Sequence, residues 1–67
     1  IFPVFTVYKN PRDFPGKYVV RLFDGTRPMR LIAIRDTLDE ARATIPEGFY
    51  CVQKSPDDDP VIVETWL

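Results

Sequence analysis

A chain of 67 residues has room for one small domain, because folding at this length buries only about 60% of the surface that the unfolded chain exposes. Its 45% hydrophobic and 28% charged residues are typical of a globular protein, which excludes low-complexity and repeat classes. The net charge of −1 argues against general affinity for nucleic acid.

The single cysteine and the absence of a long apolar run predict where the protein resides. Cys51 has no partner for an intramolecular disulfide, which favours a reducing, cytoplasmic setting. The longest nearly apolar stretch, residues 1–7, is too short to span a bilayer. Because position 1 is Ile and not Met, we expect the natural start to lie upstream.

Five segments have the β-branched and aromatic content of strands. They cover residues 2–8, 17–23, 29–35, 49–54 and 61–67. The second is apolar on both faces, which is typical of a central strand. Asp24 and Gly25 form a turn signal, so we expect a hairpin with a somewhat long loop between the second and third strands.

The stretch 36–48 is the predicted helix, of about two to three turns. Thr37 and Glu40 have the spacing of a capping box, in which each side chain accepts a hydrogen bond from the backbone N–H group of the other residue. Three apolar residues of the helix share one face that can lie on a sheet, and three charged residues point away from that face. The apolar residues are Leu38, Ala41 and Ile45, and the charged residues are Asp39, Glu40 and Arg42.

This order of elements, βββαββ with short loops, predicts one α+β domain over residues 1–67. We expect a mainly antiparallel sheet of four to five strands with the short helix on one face. One short helix covers at most about half of the apolar side chains that such a sheet presents. The other face is therefore predicted to be exposed or to meet a partner.

Charge is distributed unevenly between the two halves of the chain. Residues 1–35 carry seven basic and two acidic side chains, a balance of +5. Residues 36–67 carry two basic and eight acidic side chains, a balance of −6. The simplest interpretation is that the halves pair across the sheet, and the alternative is a dipolar binding surface.

The residue types that enzymes and cofactor sites use are scarce. The chain has no histidine, which removes the usual general base and the commonest metal ligand. Ser55 is predicted to be a turn residue and Cys51 a small buried hydrophobic residue. Asp57, Asp58 and Asp59 lack the spacing of a calcium loop, and the three glycines form no phosphate loop. We therefore expect no enzyme activity, no cofactor and no metal.

Aromatic and arginine side chains are the remaining candidates for a functional surface. Trp, Tyr and Arg anchor many protein interfaces, and four such residues are the predicted partner-binding set. They are Tyr18, Arg21, Arg30 and Trp66. A second hypothesis is a basic, partly aromatic hairpin that contacts nucleic acid. Its residues would be Arg21, Phe23, Arg27, Arg30 and Arg35.

Four stretches of the chain resemble a family of small uncharacterised proteins encoded by phages and prophages of bacteria. They are YKNPRDFPGKYVVR (8–21), DTLDEAR (36–42), IPEGFY (45–50) and SPDDDPVIVETWL (55–67). They cover most of the chain, while residues 22–35 differ in detail. The resemblance implies a cytoplasmic bacterial or phage setting and supplies no catalytic residue. Small phage proteins often bind other proteins, so it favours a non-enzymatic interaction module with a protein partner or a second copy.

Overall fold

The computed structural model describes residues 2–52 and 59–67. These form five strands and one helix, which confirms a small α+β fold with an antiparallel sheet. In chain order the elements are β1 (Pro3–Lys9), β2 (Tyr18–Asp24), β3 (Arg27–Arg35), α1 (Leu38–Arg42), β4 (Cys51–Val52) and β5 (Ile62–Trp66). Gln53 and Lys54, the end of the predicted fourth strand, lie outside the described residues, and so does Ser55. Within the described ranges no helix has the length and apolarity needed to cross a bilayer.

The sheet has the strand order β3-β2-β1-β5-β4, and all of its neighbouring pairs are antiparallel. The first strand of the chain lies at the centre, where β2 and β5 bond to its two sides. β2 was predicted to be central; it is an interior strand, but it lies next to the edge strand β3 and β1 takes the centre. The strands before and after the helix, β3 and β4, form the two edges of the sheet.

One face of the sheet carries the hydrophobic core and is called the core face below. Residues paired directly across strands point to the same side, so the register places Phe5, Val7, Val20 and Ala33 together there. Ala41 of α1 completes this buried cluster. Leu38 packs against its margin, as predicted for the apolar face of the helix, and Ile45 does so from beyond the end of α1.

The helix begins as predicted but is shorter than the predicted two to three turns. Thr37 is the N-cap, and its hydroxyl oxygen accepts the backbone N–H of Glu40 at 3.2 Å. The reciprocal bond differs from the predicted one, because the Glu40 carboxylate accepts the Thr37 hydroxyl at 2.9 Å. The helix ends at Arg42 because the next turn tightens: Thr44 N–H bonds to Ala41 O, and Thr44 Oγ1 donates to the same oxygen.

Loss of the cap is expected to have a measurable effect on such a short helix. Thr37→Ala removes the acceptor for the Glu40 amide and should lower the free energy of unfolding by about 0.5–2 kcal/mol. Urea denaturation followed by circular dichroism measures the change. Thr26→Ala is the matched control, because Thr26 is an exposed turn residue. Equal stability of the two variants would show that the cap contributes nothing.

The hairpin between β2 and β3 is tighter than the predicted loop. Asp24 pairs directly with Arg27, which leaves only Gly25 and Thr26 in the turn. Gly25 has a φ of 61°, and glycine adopts this conformation without the steric cost of a Cβ atom. A positive φ at the first of two turn residues suits a type II′ turn. This two-residue turn joins β2 and β3 without the longer loop that was predicted.

A bulge changes the faces that the alternation in β5 predicts. Strict alternation places Ile62, Glu64 and Trp66 on one side. The register shifts between Val7 and Tyr8, so that Glu64 pairs with Val7 but Ile62 pairs with Tyr8. Glu64 and Trp66 therefore lie on the core face and Ile62 on the opposite one.

Candidate protein-interaction surface

The outer side of β3 is the longest free edge of the sheet. In the described part of the chain β3 pairs only with β2, so alternate backbone N–H and C=O groups along its nine residues point away from the sheet. Residues 27–31 are all exposed. Among them Met29 is 50% and Leu31 39% exposed, which are large values for apolar side chains in a strand. An edge of this kind can accept a further strand.

Three arginines of β3 point to the core-face side of this edge. Arg27 pairs with Asp24, Arg30 with Leu22 and Arg35 with Tyr18, and all three partners lie on that side by alternation from Val20. The arginines are three and five residues apart, so strict alternation would place Arg30 on the opposite side from Arg27 and Arg35. Two register shifts in the β2–β3 pair bring all three to the same side. The edge strand thus carries a row of positive charge, called the arginine row below.

None of the ion pairs in the described part of the chain involves the arginine row, although the Asp24 carboxylate lies on the cross-strand partner of Arg27. These ion pairs are Lys17–Asp36, Arg21–Asp13, Arg42–Asp39 and Arg42–Glu64. Only the first joins the basic half of the chain to the acidic half. Among the described residues, therefore, one ion pair neutralises charge between the basic and acidic halves of the chain. The other charges of the two halves remain separate at the surface. In the Lys17–Asp36 pair, the hydrogen bond from the Lys17 ammonium lowers the pKa of the Asp36 carboxyl.

The sheet face opposite the core face contains a shallow groove, and this side is called the groove face below. The groove has a volume of about 300 Å³. It is lined by Val4, Thr6, Tyr8, Phe23, Gly25, Thr26, Ile62 and Thr65. Burial raises the pKa of the Tyr8 hydroxyl and Asp59 adds to the increase, while Arg21 opposes it. The lining combines apolar side chains with the hydroxyl groups of three threonines and Tyr8.

The structure does not bring the four predicted partner-binding residues together. Tyr18 and Trp66 lie on the core face and pack against the buried cluster. Arg21 points to the groove face, where its Nη2 donates to Asp13 Oδ2 at 2.6 Å. Arg30 is exposed in the edge strand. Of the four, Arg30 alone belongs to the arginine row.

A buried carboxylate organises a polar cluster that the sequence does not indicate. Glu64 is 6% exposed and accepts both arms of the Arg42 fork, from Nε at 2.9 Å and Nη2 at 3.0 Å. The Trp66 indole N–H also donates to it, at 3.0 Å. The Arg42 hydrogen bonds, followed by that of Trp66, lower the pKa of Glu64 although burial opposes them. Arg42 was predicted to point away from the sheet, and this is wrong because its long side chain reaches back to β5.

Cys51 is exposed, and the prediction of a buried residue is wrong because β4 lies at the edge of the sheet. Its Sγ lies 3.5 Å from Glu64 Oε2, and its pKa is raised by partial burial and by the negative charge of Glu64. A raised pKa favours the thiol over the reactive thiolate. The described residues contain no group of three or more potential metal ligands. Asp57 and Asp58 lie outside the described part.

Sequence reasoning placed Arg27 and Arg30 on one predicted hairpin but missed Met29 and Leu31 as part of the same surface. A signal was present in residues 27–30, Arg-Pro-Met-Arg, where polar or proline positions interrupt the apolar alternation on both faces. Proline is found mainly on edge strands because it has no N–H to donate to a neighbour. Such a pattern indicates an edge strand.

Comparison of the chain with protein-family models, with curated proteins and with solved structures gives no match. The functional argument therefore depends on the geometry described above.

Proposed function

We propose that this domain is a non-enzymatic protein-interaction module of phage or prophage origin, acting in the cytoplasm, and that it binds its partner along the β3 edge. In this proposal α1 covers only the core face. The observation that carries it is the free nine-residue edge, with five consecutive exposed residues that include Met29 and Leu31. Exposed apolar side chains beside unpaired backbone groups are typical of a surface that accepts another chain.

The non-enzymatic part of the proposal is supported by the chemistry of the titratable groups. The chain has no histidine, and the buried carboxylate of Glu64 is held in its charged form by Arg42 and Trp66. A carboxylate with a lowered pKa and filled hydrogen-bonding sites is a poor proton acceptor. These contacts suit a structural role for Glu64.

A capture experiment tests the proposed edge. The tagged domain is incubated with bacterial lysate, and retained proteins are quantified by mass spectrometry. The double variant Met29→Glu, Arg30→Glu should lose specific partners at least about tenfold, because it adds two negative charges to the edge and removes an apolar side chain and a positive charge. Arg12→Glu, an exposed loop change, and Tyr50→Ala, beside the opposite edge, are the controls.

Capture that is equal for the double variant and for both controls would contradict the assignment of the edge. Circular dichroism and thermal unfolding of each variant establish that the comparison involves folded proteins. Sedimentation of the wild-type domain at several concentrations shows whether a second copy occupies the surface.

The second candidate function, nucleic-acid binding, is favoured by the arginine row alone. Arg21 is paired with Asp13 and lies on the other side of the sheet, so three arginines remain of the predicted four. If each contacts one phosphate, the slope of log affinity against log salt should be about −2 to −3. Fluorescence anisotropy with labelled single-stranded and double-stranded DNA and RNA at low salt measures it. No detectable binding to any of these would exclude this candidate.

A further inference from the structure

We infer that the partner contributes an extended acidic segment, which adds to the sheet as a sixth strand beside β3. This inference rests on the proposed function and specifies the chemistry of the partner. Strand addition satisfies the outward backbone groups of the edge, and side chains at alternate positions supply specificity.

The charge of the edge selects an acidic segment. Neighbouring strands place side chains of paired residues beside each other, so a strand added to β3 aligns every second side chain with the core-face side of the edge. Three of the four positions on that side hold the arginine row, and the fourth holds Ala33. Carboxylates next to these guanidinium groups form charge-assisted hydrogen bonds, whereas lysines there would be repelled.

The register also predicts the spacing of the acidic residues. The β2–β3 register contains seven cross-strand pairs. Counted from Arg35, the residues of the arginine row occupy the first, fifth and seventh of these positions. An antiparallel partner would therefore carry acidic side chains at these three positions. Its second, fourth and sixth side chains would lie on the groove-face side, beside Ile34, Leu31 and Pro28, where apolar groups fit.

A second copy of β3 is a poor occupant of the same edge. β3 contains no acidic residue, so pairing two copies would align their arginine rows along one seam without compensating charge. Like charges opposite each other destabilise strand pairs. Pro28 and the two register shifts also oppose regular self-pairing, as is common in edge strands that avoid aggregation. An acidic segment supplies the missing charge.

A designed peptide tests this inference directly. The probe is a fluorescein-labelled, end-capped seven-residue peptide with Glu at the first, fifth and seventh positions, Val at the second, fourth and sixth, and Thr at the third. One control peptide has Lys in place of Glu. Another keeps the three Glu residues but replaces two Val residues with Pro, which preserves charge and removes backbone donors. Binding to the folded domain is followed by anisotropy at two salt concentrations.

We expect saturable binding of the Glu–Val peptide, weaker binding at the higher salt concentration, and no saturable binding of either control peptide. Arg30→Glu should weaken binding at least about tenfold, and Arg12→Glu should change it less than about twofold. The inference is overturned if the Glu–Val peptide does not bind, if the proline peptide binds equally well, or if Arg30→Glu has no effect. Self-association of the wild-type domain that Arg30→Glu abolishes would also overturn it, in favour of a second copy.

The outcomes separate this inference from the proposed function. Lysate capture that depends on Met29 and Arg30, together with failure of the Glu–Val peptide to bind or to compete, refutes the acidic strand and retains the interaction edge. Capture that ignores both residues refutes the edge itself.

Discussion

Replacement of Phe5 by alanine is expected to lower the free energy of unfolding by about 3–5 kcal/mol, the largest effect of any single change considered for this domain. Phe5 is 6% exposed in the central strand and belongs to the buried cluster with Val7, Val20, Ala33 and Ala41. Its ring also meets that of Phe49 edge to face, with centroids 4.9 Å apart. Truncation therefore removes core packing and an aromatic contact together.

The total stability of a domain of this size is about 3–10 kcal/mol, so Phe5→Ala should leave a substantial unfolded fraction at room temperature. Urea denaturation by tryptophan fluorescence measures the loss, because Trp66 packs against the same cluster. Phe2→Ala is the matched control, since Phe2 is 60% exposed. If both variants were equally stable, the assignment of Phe5 to the core would be wrong.

The second large effect is expected for Glu64→Gln, at about 1.5–3 kcal/mol of unfolding free energy. The amide has nearly the same shape as the carboxylate but is neutral, and only its single oxygen accepts hydrogen bonds. Its NH2 group would present a donor to one arm of the Arg42 fork, where the carboxylate presents an acceptor, so the charge-assisted bidentate pair between α1 and β5 is lost. Glu47→Gln, on an exposed loop, should change stability little.

The same pair of variants predicts a pH dependence. The pKa of Glu64 is lower in the folded protein than in the unfolded chain, so the unfolded state binds more protons between the two values. The stabilisation by Glu64 is fully present above the ordinary glutamate pKa and is lost as pH falls through the folded value. The stability difference between wild type and Glu64→Gln should therefore shrink on acidification below about pH 4.3. A difference that stays constant to pH 2 would show that Glu64 has an ordinary pKa.

Local signals predicted the elements well, because caps and alternation depend on neighbouring residues. The Thr37 cap and the apolar spacing of Leu38 and Ala41 located the helix within a few residues. The short length of the helix was not predictable from the same signals. It depends on Thr44, which hydrogen-bonds to the Ala41 carbonyl and does not continue the helix. The bulge in β5 likewise depends on pairing with β1, which strict alternation cannot show.

The candidate surface was predicted only in part, because it depends on strand order. Arg30 was identified by residue type, but Tyr18 and Trp66 were grouped with it although they pack on the core. Nothing in the sequence shows that β1 takes the centre, and Pro28 with its neighbours was the one signal that β3 lies at an edge. The Arg42–Glu64 pair joins residues 22 positions apart, and such contacts follow from tertiary packing.

Amide hydrogen exchange in the free protein, resolved by residue with NMR, tests most directly that β3 is an open edge. The account predicts alternation along β3, with outward N–H groups exchanging rapidly and those bonded to β2 slowly, while β1 amides on both sides are protected. Uniform protection of residues 29–35, at the level of β1, would show that the edge is already covered and would contradict the assignment of β3 as the interaction surface.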